Sequence, residues 1–121
     1  MKQEKIIGTE ILKIKGATYT GEATQEQYSK LVAKYGKINV MVIPVDKDLT
    51  DFAVVYLKGI DRQLMSAYLS SNDPVQKKEM LLDAIMVAGD ERVKDDDGVF
   101  FSAMLLMDEV ITFPLGVFIK G

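Results

Sequence analysis

Residues 61–112 read DRQLMSAYLSSNDPVQKKEMLLDAIMVAGDERVKDDDGVFFSAMLLMDEVIT, and the pattern predicts three consecutive helices. Asp73 and Pro74 place a capping carboxylate and a first-turn proline at the start of the middle helix. Asp61 stands where it can cap the first of the three helices. Residues 95–97 put negative charge at the N-terminus of the third helix, where the helix dipole favours an anion. We therefore predict helices at residues 62–71, 74–88 and 97–112.

The third predicted helix is apolar around most of its circumference. Its residues 99–111 read VFFSAMLLMDEVI, and a helix of this kind is either buried centrally or in contact with a second chain. A single small domain cannot easily cover all sides of such a helix, and a large exposed apolar patch usually marks an interface. The apolar tail FPLGVFIKG at 113–121 is predicted to be a short strand or an extended arm. The predicted partner-binding residues are Phe100, Phe101, Met104, Leu105, Leu106, Phe113 and Phe118.

Two β-branched runs upstream of the helices predict an antiparallel hairpin. They are INVMVIPV at 38–45 and FAVVYL at 52–57, and the short acidic loop DKDLTD separates them. Pro44 lacks an N–H group, so the first run is expected to lie at a sheet edge or to end its ladder there. Both runs are apolar on both faces, which predicts that one face packs under the helices while the other meets something else.

The N-terminal part of the chain carries weaker signals. Thr24 and Gln27 have capping-box spacing, which predicts a helix at 25–35. Residues 5–15 indicate a bent strand or two short strands, and residues 16–23 indicate a loop or an edge strand. The expected fold is a single α+β domain with a small antiparallel sheet packed against three to four helices. Residues 1–23 are expected to be a strand or arm, 24–112 the core and 113–121 an arm.

The composition excludes several classes of site. The 121 residues contain no cysteine and no histidine, which rules out disulfides and Cys/His zinc sites. The net charge of -3, without a Lys/Arg block, argues against nucleic acid as a partner. Charged residues interrupt the N-terminal apolar residues, so no signal peptide is predicted and the chain is expected to stay where it is made. The nearly uncharged stretch at 98–107 is too short for a membrane span.

Two acidic clusters are candidates for metal or catalytic sites. If Gly98 stood at position six of a calcium loop, positions one and twelve would be Val93 and Met104, so both charged anchors are missing. Residues 95–97 are therefore interpreted as a helix N-terminus. Asp46, Asp48 and Asp51 could serve a small metal-dependent hydrolase, but aspartate in a short turn is favoured by its local hydrogen bonds. With no phosphate-binding glycine motif either, we predict a non-enzymatic protein without a cofactor, a metal or a small-molecule substrate.

Four segments carry a resemblance to a known family. They are KYGKI at 34–38, YLKGIDRQLMSA at 56–67, NDPVQKKEMLL at 72–82 and AGDERVKDDDGVF at 88–100. Across about residues 30–111 the chain resembles a family of short proteins of tailed bacteriophages and prophages of gut bacteria, which are similar to phage tail assembly chaperones. It departs from that pattern in its N-terminal stretch up to about residue 23. It departs again at 113–121, where a charged helical tail is expected.

The resemblance implies a bacteriophage morphogenesis protein that works through apolar protein–protein contacts. Its expected partners are phage structural proteins and further copies of itself, with no nucleic acid and no membrane. The alternative that it implies is a minor structural component of the virion, in the head, neck or tail. The expected location is the host bacterial cytoplasm, with retention in the virion as the alternative.

Overall fold

The computed structural model describes residues 4–111 and has a central sheet with helices on one face and a mixed layer on the other. Its elements, in chain order, are β1 (Thr18–Thr20), α1 (Gln25–Tyr35), β2 (Asn39–Pro44), β3 (Asp51–Leu57), α2 (Arg62–Ser70), α3 (Pro74–Ile85), β4 (Met86–Gly89), α4 (Arg92–Asp95) and α5 (Asp97–Val110). The predicted α+β class is confirmed. The predicted tail at 113–121 lies outside the described residues.

Strand β3 is the centre of the sheet. It pairs antiparallel with β2 along one side, from Asn39 opposite Leu57 to Pro44 opposite Phe52. Its other side is shared, since β1 runs parallel to its first residues and β4 runs antiparallel to its last ones. The hairpin therefore has the predicted pairing, and β1 makes the sheet a mixed one. Pro44 lies in an outer strand, where its missing N–H costs no ladder bond.

Both faces of β3 are covered, which explains its continuous apolar sequence. Side chains alternate between the faces of a strand. Ala53, Val55 and Leu57 pack with α2, α3, α4 and α5, while Val54 and Tyr56 pack with α1 and the N-terminal segment. All six residues from 52 to 57 are buried. The second face thus meets the chain's own N-terminal part.

Tyr56 joins the N-terminal segment to the sheet. Its hydroxyl accepts a hydrogen bond from the Ala23 N–H at 3.2 Å and donates one to the Ile7 carbonyl at 2.9 Å. Ile6 beside it is fully buried. Burial raises the pKa of the Tyr56 hydroxyl, so it stays protonated and able to donate at neutral pH. Residues 4–23 are therefore a packed part of the fold.

We expect Tyr56→Phe to lower the free energy of unfolding by about 1–2 kcal/mol, because two main-chain groups lose their partner. Urea denaturation checks the value. Tyr28→Phe is the control, since the Tyr28 ring lies 6.0 Å from the Tyr56 ring but its hydroxyl has no hydrogen bond within residues 4–111. An equal loss in both variants would contradict the assigned role.

Three predicted elements differ from the structure. The helix predicted at 74–88 ends at Ile85, because the next residues become extended and pair with β3 as β4. The charged segment DERVKDDDG at 90–98, whose composition predicts a connector between helices, contains the short helix α4. Residues 5–15 form a turn instead of the predicted strands, and one antiparallel bridge between Lys5 and Leu12 closes this turn. The main-chain hydrogen bonds of the segment are local, such as the one from the Ile6 N–H to the Ile11 carbonyl.

Candidate protein-binding surface

Helix α5 is held in place at its start and along its length. The Asp96 side chain caps it by accepting from the Val99 N–H at 3.1 Å, as the acidic run predicts. From α3, the Lys78 ammonium donates to the Met104 carbonyl at 3.2 Å and lies 2.8 Å from the Asp108 carboxylate. These contacts fix the rotation of α5 about its own axis, and with it the choice of residues that face solvent.

Burial divides the predicted partner-binding residues into two sets. Phe100 lies in the core beside α3 and the sheet, so it is not part of an exposed surface. Phe101 is 52% exposed and Leu105 is 74% exposed. Met104 and Leu106 are half-buried, so they are more exposed than Phe100 and less exposed than Phe101 and Leu105. Phe113 and Phe118 lie outside the described residues.

Phe101 and Leu105 form one exposed stripe, which we call the α5 outer pair. Residues four apart on a helix are neighbours on its surface, so the two side chains lie side by side. The Phe101 ring also contacts the buried Phe100 ring, with centroids 5.9 Å apart. The buried stripe Val99, Ala103 and Met107 lies on the opposite, core-facing side. Among residues 4–111, the helix is therefore packed against its own domain on one side only.

The candidate catalytic residues Asp46, Asp48 and Asp51 do not form a common site. The Asp46 carboxylate accepts from the Thr50 N–H at 2.9 Å, the Asp51 N–H at 3.2 Å and the Thr50 hydroxyl. These bonds, led by that of the Thr50 hydroxyl, lower the pKa of Asp46. Asp48 is exposed in the same turn. Within residues 4–111, no three acidic side chains come together as ligands for a metal ion.

Asp51 instead belongs to an ion-pair cluster around Arg92. The Arg92 guanidinium donates to Asp51 at 2.8 and 3.3 Å and to Asp90 at 2.8 Å. The hydrogen bonds from Arg92 lower the pKa of Asp51, and the same bonds raise the pKa of Arg92. Asp90 is only 7% exposed. The cluster ties the start of β3 to the turn between β4 and α4.

Sequence reasoning missed Arg92, and no local pattern signals it. Asp51 lies 41 residues away, so the pair exists only because β3 and β4 are neighbours in the sheet. Its contacts join side chains of the same domain and engage all three guanidinium nitrogens. We assign the cluster to the stability of the fold.

Comparison of the chain with models of known protein families, with curated protein sequences and with solved structures found no match. Among the helices of residues 4–111, none combines the length and the apolar character that crossing a membrane requires.

Proposed function

We propose that this chain is a non-enzymatic bacteriophage morphogenesis protein, similar to tail assembly chaperones, that binds protein partners through the outer side of α5. The observation that carries the proposal is the exposure of the α5 outer pair, Phe101 and Leu105, on a helix whose opposite side is packed in the core. Single exposed apolar residues are ordinary, but two large neighbours on one rigid helix form a contact surface. The phage context rests on the four resembling segments.

The energy that this pair supplies suits a reversible contact. Burying the exposed parts of the two side chains is worth about 1–2 kcal/mol each. A complex with a micromolar Kd has a favourable binding free energy of about 8 kcal/mol, which is what is left after the cost of association has been subtracted. Half-buried Met104 and Leu106 beside the pair and repeated copies of the chain must add the rest. A chaperone that releases its client benefits from such a weak individual contact.

The second candidate function is that of a minor structural component of the virion. It is favoured by the apolar tail at 113–121, which stands where the resembling proteins have a charged helix. The α5 outer pair would serve either function, since both require an apolar contact with another protein.

The test is a double substitution, Phe101→Glu with Leu105→Glu, in the full chain. We expect the wild type to form oligomers of the 13.5 kDa chain and the double variant to be monomeric, because burying two carboxylates in an apolar contact is strongly unfavourable. Light scattering measures the mass, and circular dichroism checks that the fold is kept.

Leu69→Glu is the matched control. Leu69 on α2 is 71% exposed, so this variant introduces the same kind of charge at an equally exposed leucine outside α5. It should leave the mass unchanged. A monomeric wild type, or a double variant that keeps the wild-type mass, would contradict the proposal.

A further inference from the structure

Strand β2 has one long side without a strand partner in the part of the chain that the structure describes. Its other side pairs with β3, where the Val45 N–H donates to the Asp51 carbonyl at 2.9 Å. Main-chain groups alternate in direction along a strand. Met41 and Ile43 lie an even number of residues from Val45, so their main-chain N–H and carbonyl groups also point toward β3. The N–H and carbonyl groups of Val40 and Val42 therefore point outward.

The hydrogen bonds on the opposite side of β3 are consistent with this alternation. The Val54 carbonyl accepts from the Asp90 N–H on the β4 side, and Val54 stands opposite Val42. Val42 and Val54 thus both turn their main-chain groups away from the β2–β3 ladder. Two outward N–H groups and two outward carbonyls on β2 make an edge that can accept another strand.

A groove of about 460 Å³ runs along this edge, which we call the β2 groove. Val40 and Val42 line its floor, Ile11 lines one side, and Leu106 and Glu109 from the last turns of α5 line the other. Lys37 and Asn39 also line it, so its walls are mixed in polarity. The groove therefore offers outward main-chain groups together with apolar contacts from Ile11 and Leu106, and both can hold an extended peptide added as a strand. Pro44 has no N–H to offer, so it ends the available ladder.

We propose that the β2 groove binds residues 113–121 of the same chain as an added strand. Helix α5 ends beside the groove, because Leu106 and Glu109 form its wall. The residues that follow span about 30 Å when extended, against about 20 Å for the six residues of β2. The tail contains the run VFIK at 117–120, and valine, phenylalanine and isoleucine favour strands.

The tether makes the same chain the favoured donor of this strand. A segment joined to its site by one or two residues is present at an effective concentration in the millimolar range. This strand addition goes beyond the proposed function, since it involves β2 and the tail rather than the α5 outer pair. It also covers an edge that would otherwise be open to other chains.

Amide hydrogen exchange of the full-length chain tests the proposal. The Val40 and Val42 amides are expected to exchange at least about tenfold more slowly than unprotected amides, because an added strand accepts their hydrogen bonds. The protection should be the same at low and at high protein concentration. The Met41 and Ile43 amides face β3, so their protection reports that the sheet is intact.

Two adjacent substitutions, Val117→Pro and Phe118→Pro, give the matched pair. Proline is tolerated in an outer strand only where its nitrogen faces solvent. One of the two should abolish the protection of Val40 and Val42, and the other should retain it. This alternation is specific to strand pairing and does not depend on loss of a side chain alone.

Three outcomes would overturn the proposal. Unprotected Val40 and Val42 amides in the wild type would mean that the groove is empty. Protection that survives both prolines would mean that another segment occupies it. Protection that rises with protein concentration would assign the strand to a second copy of the chain, whatever the mass measurement on the α5 variants gives.

Discussion

Replacing Gly89 with alanine is expected to lower the free energy of unfolding by about 3–5 kcal/mol, as the combined cost of a strained backbone and an overpacked contact. Gly89 has a φ of +130°, which side-chain-bearing residues rarely adopt. A Cβ there would lie 2.5 Å from the Val54 carbonyl oxygen and 2.7 Å from the Val55 Cα. Both neighbours belong to the central strand, so neither can move without disturbing the sheet.

Gly16→Ala is the control for the backbone part of this cost. Gly16 also has a positive φ, +86°, but a Cβ there meets no atom within 4 Å. It should cost only about 1 kcal/mol. Urea denaturation of both variants measures the difference, and losses of equal size would show that the close approach to Val54 is unimportant.

The sequence predicted the elements whose signals are local. The start of α3 follows from Asp73, whose carboxylate accepts from the Val75 and Gln76 N–H groups at 2.9 Å. The ends of α1 follow from the capping box at Thr24 and from Gly36, which has the positive φ expected after a helix. In each case, residues within four positions of one another decide the structure.

The parts that were not predicted depend on partners distant in the chain. Strand β4 continues the apolar pattern of α3, and only its pairing with Val55, Tyr56 and Leu57 makes it extended. Gly89 follows the helical pattern as a helix-ending glycine would, although its structural reason is the close approach to β3. No local pattern distinguishes these two roles of a glycine.

The surface of α5 could have been resolved further from its sequence. Val99, Ala103 and Met107 recur every four residues and form the buried stripe. Because neighbouring positions on a helix differ by about 100°, this stripe with Phe100 leaves Phe101 and Leu105 outside. Because apolar residues occur around most of the helix, its composition alone does not separate the buried residues from the exposed ones.

Arg92→Met is expected to lower the free energy of unfolding by about 2–3 kcal/mol at neutral pH, because the buried Asp90 carboxylate loses its charged partner. The loss stays below that of a fully enclosed pair, since the Arg92 side chain is 35% exposed and water can replace part of its contact. Arg62→Met is the control, because Arg62 on α2 is exposed and forms no ion pair within residues 4–111.

Arg92→Met should also change how the free energy of unfolding depends on pH. The hydrogen bonds from Arg92 lower the pKa of Asp51 in the folded chain relative to an unfolded value of about 3.9. This contribution to stability is therefore present above the unfolded pKa and is lost as the pH falls through the folded one. In Arg92→Met, Asp51 has no such partner, so this part of the acid dependence disappears. The lowered pKa of Asp46 comes from Thr50 and persists in both proteins.

The difference in the free energy of unfolding between wild type and Arg92→Met should accordingly be largest above about pH 5 and shrink below about pH 4. Urea denaturation at a series of pH values measures it. A difference that stayed constant down to pH 2 would show that Asp51 draws no stability from Arg92. The guanidinium would then act on Asp90 alone, and the link between the start of β3 and the β4–α4 turn would rest on main-chain pairing.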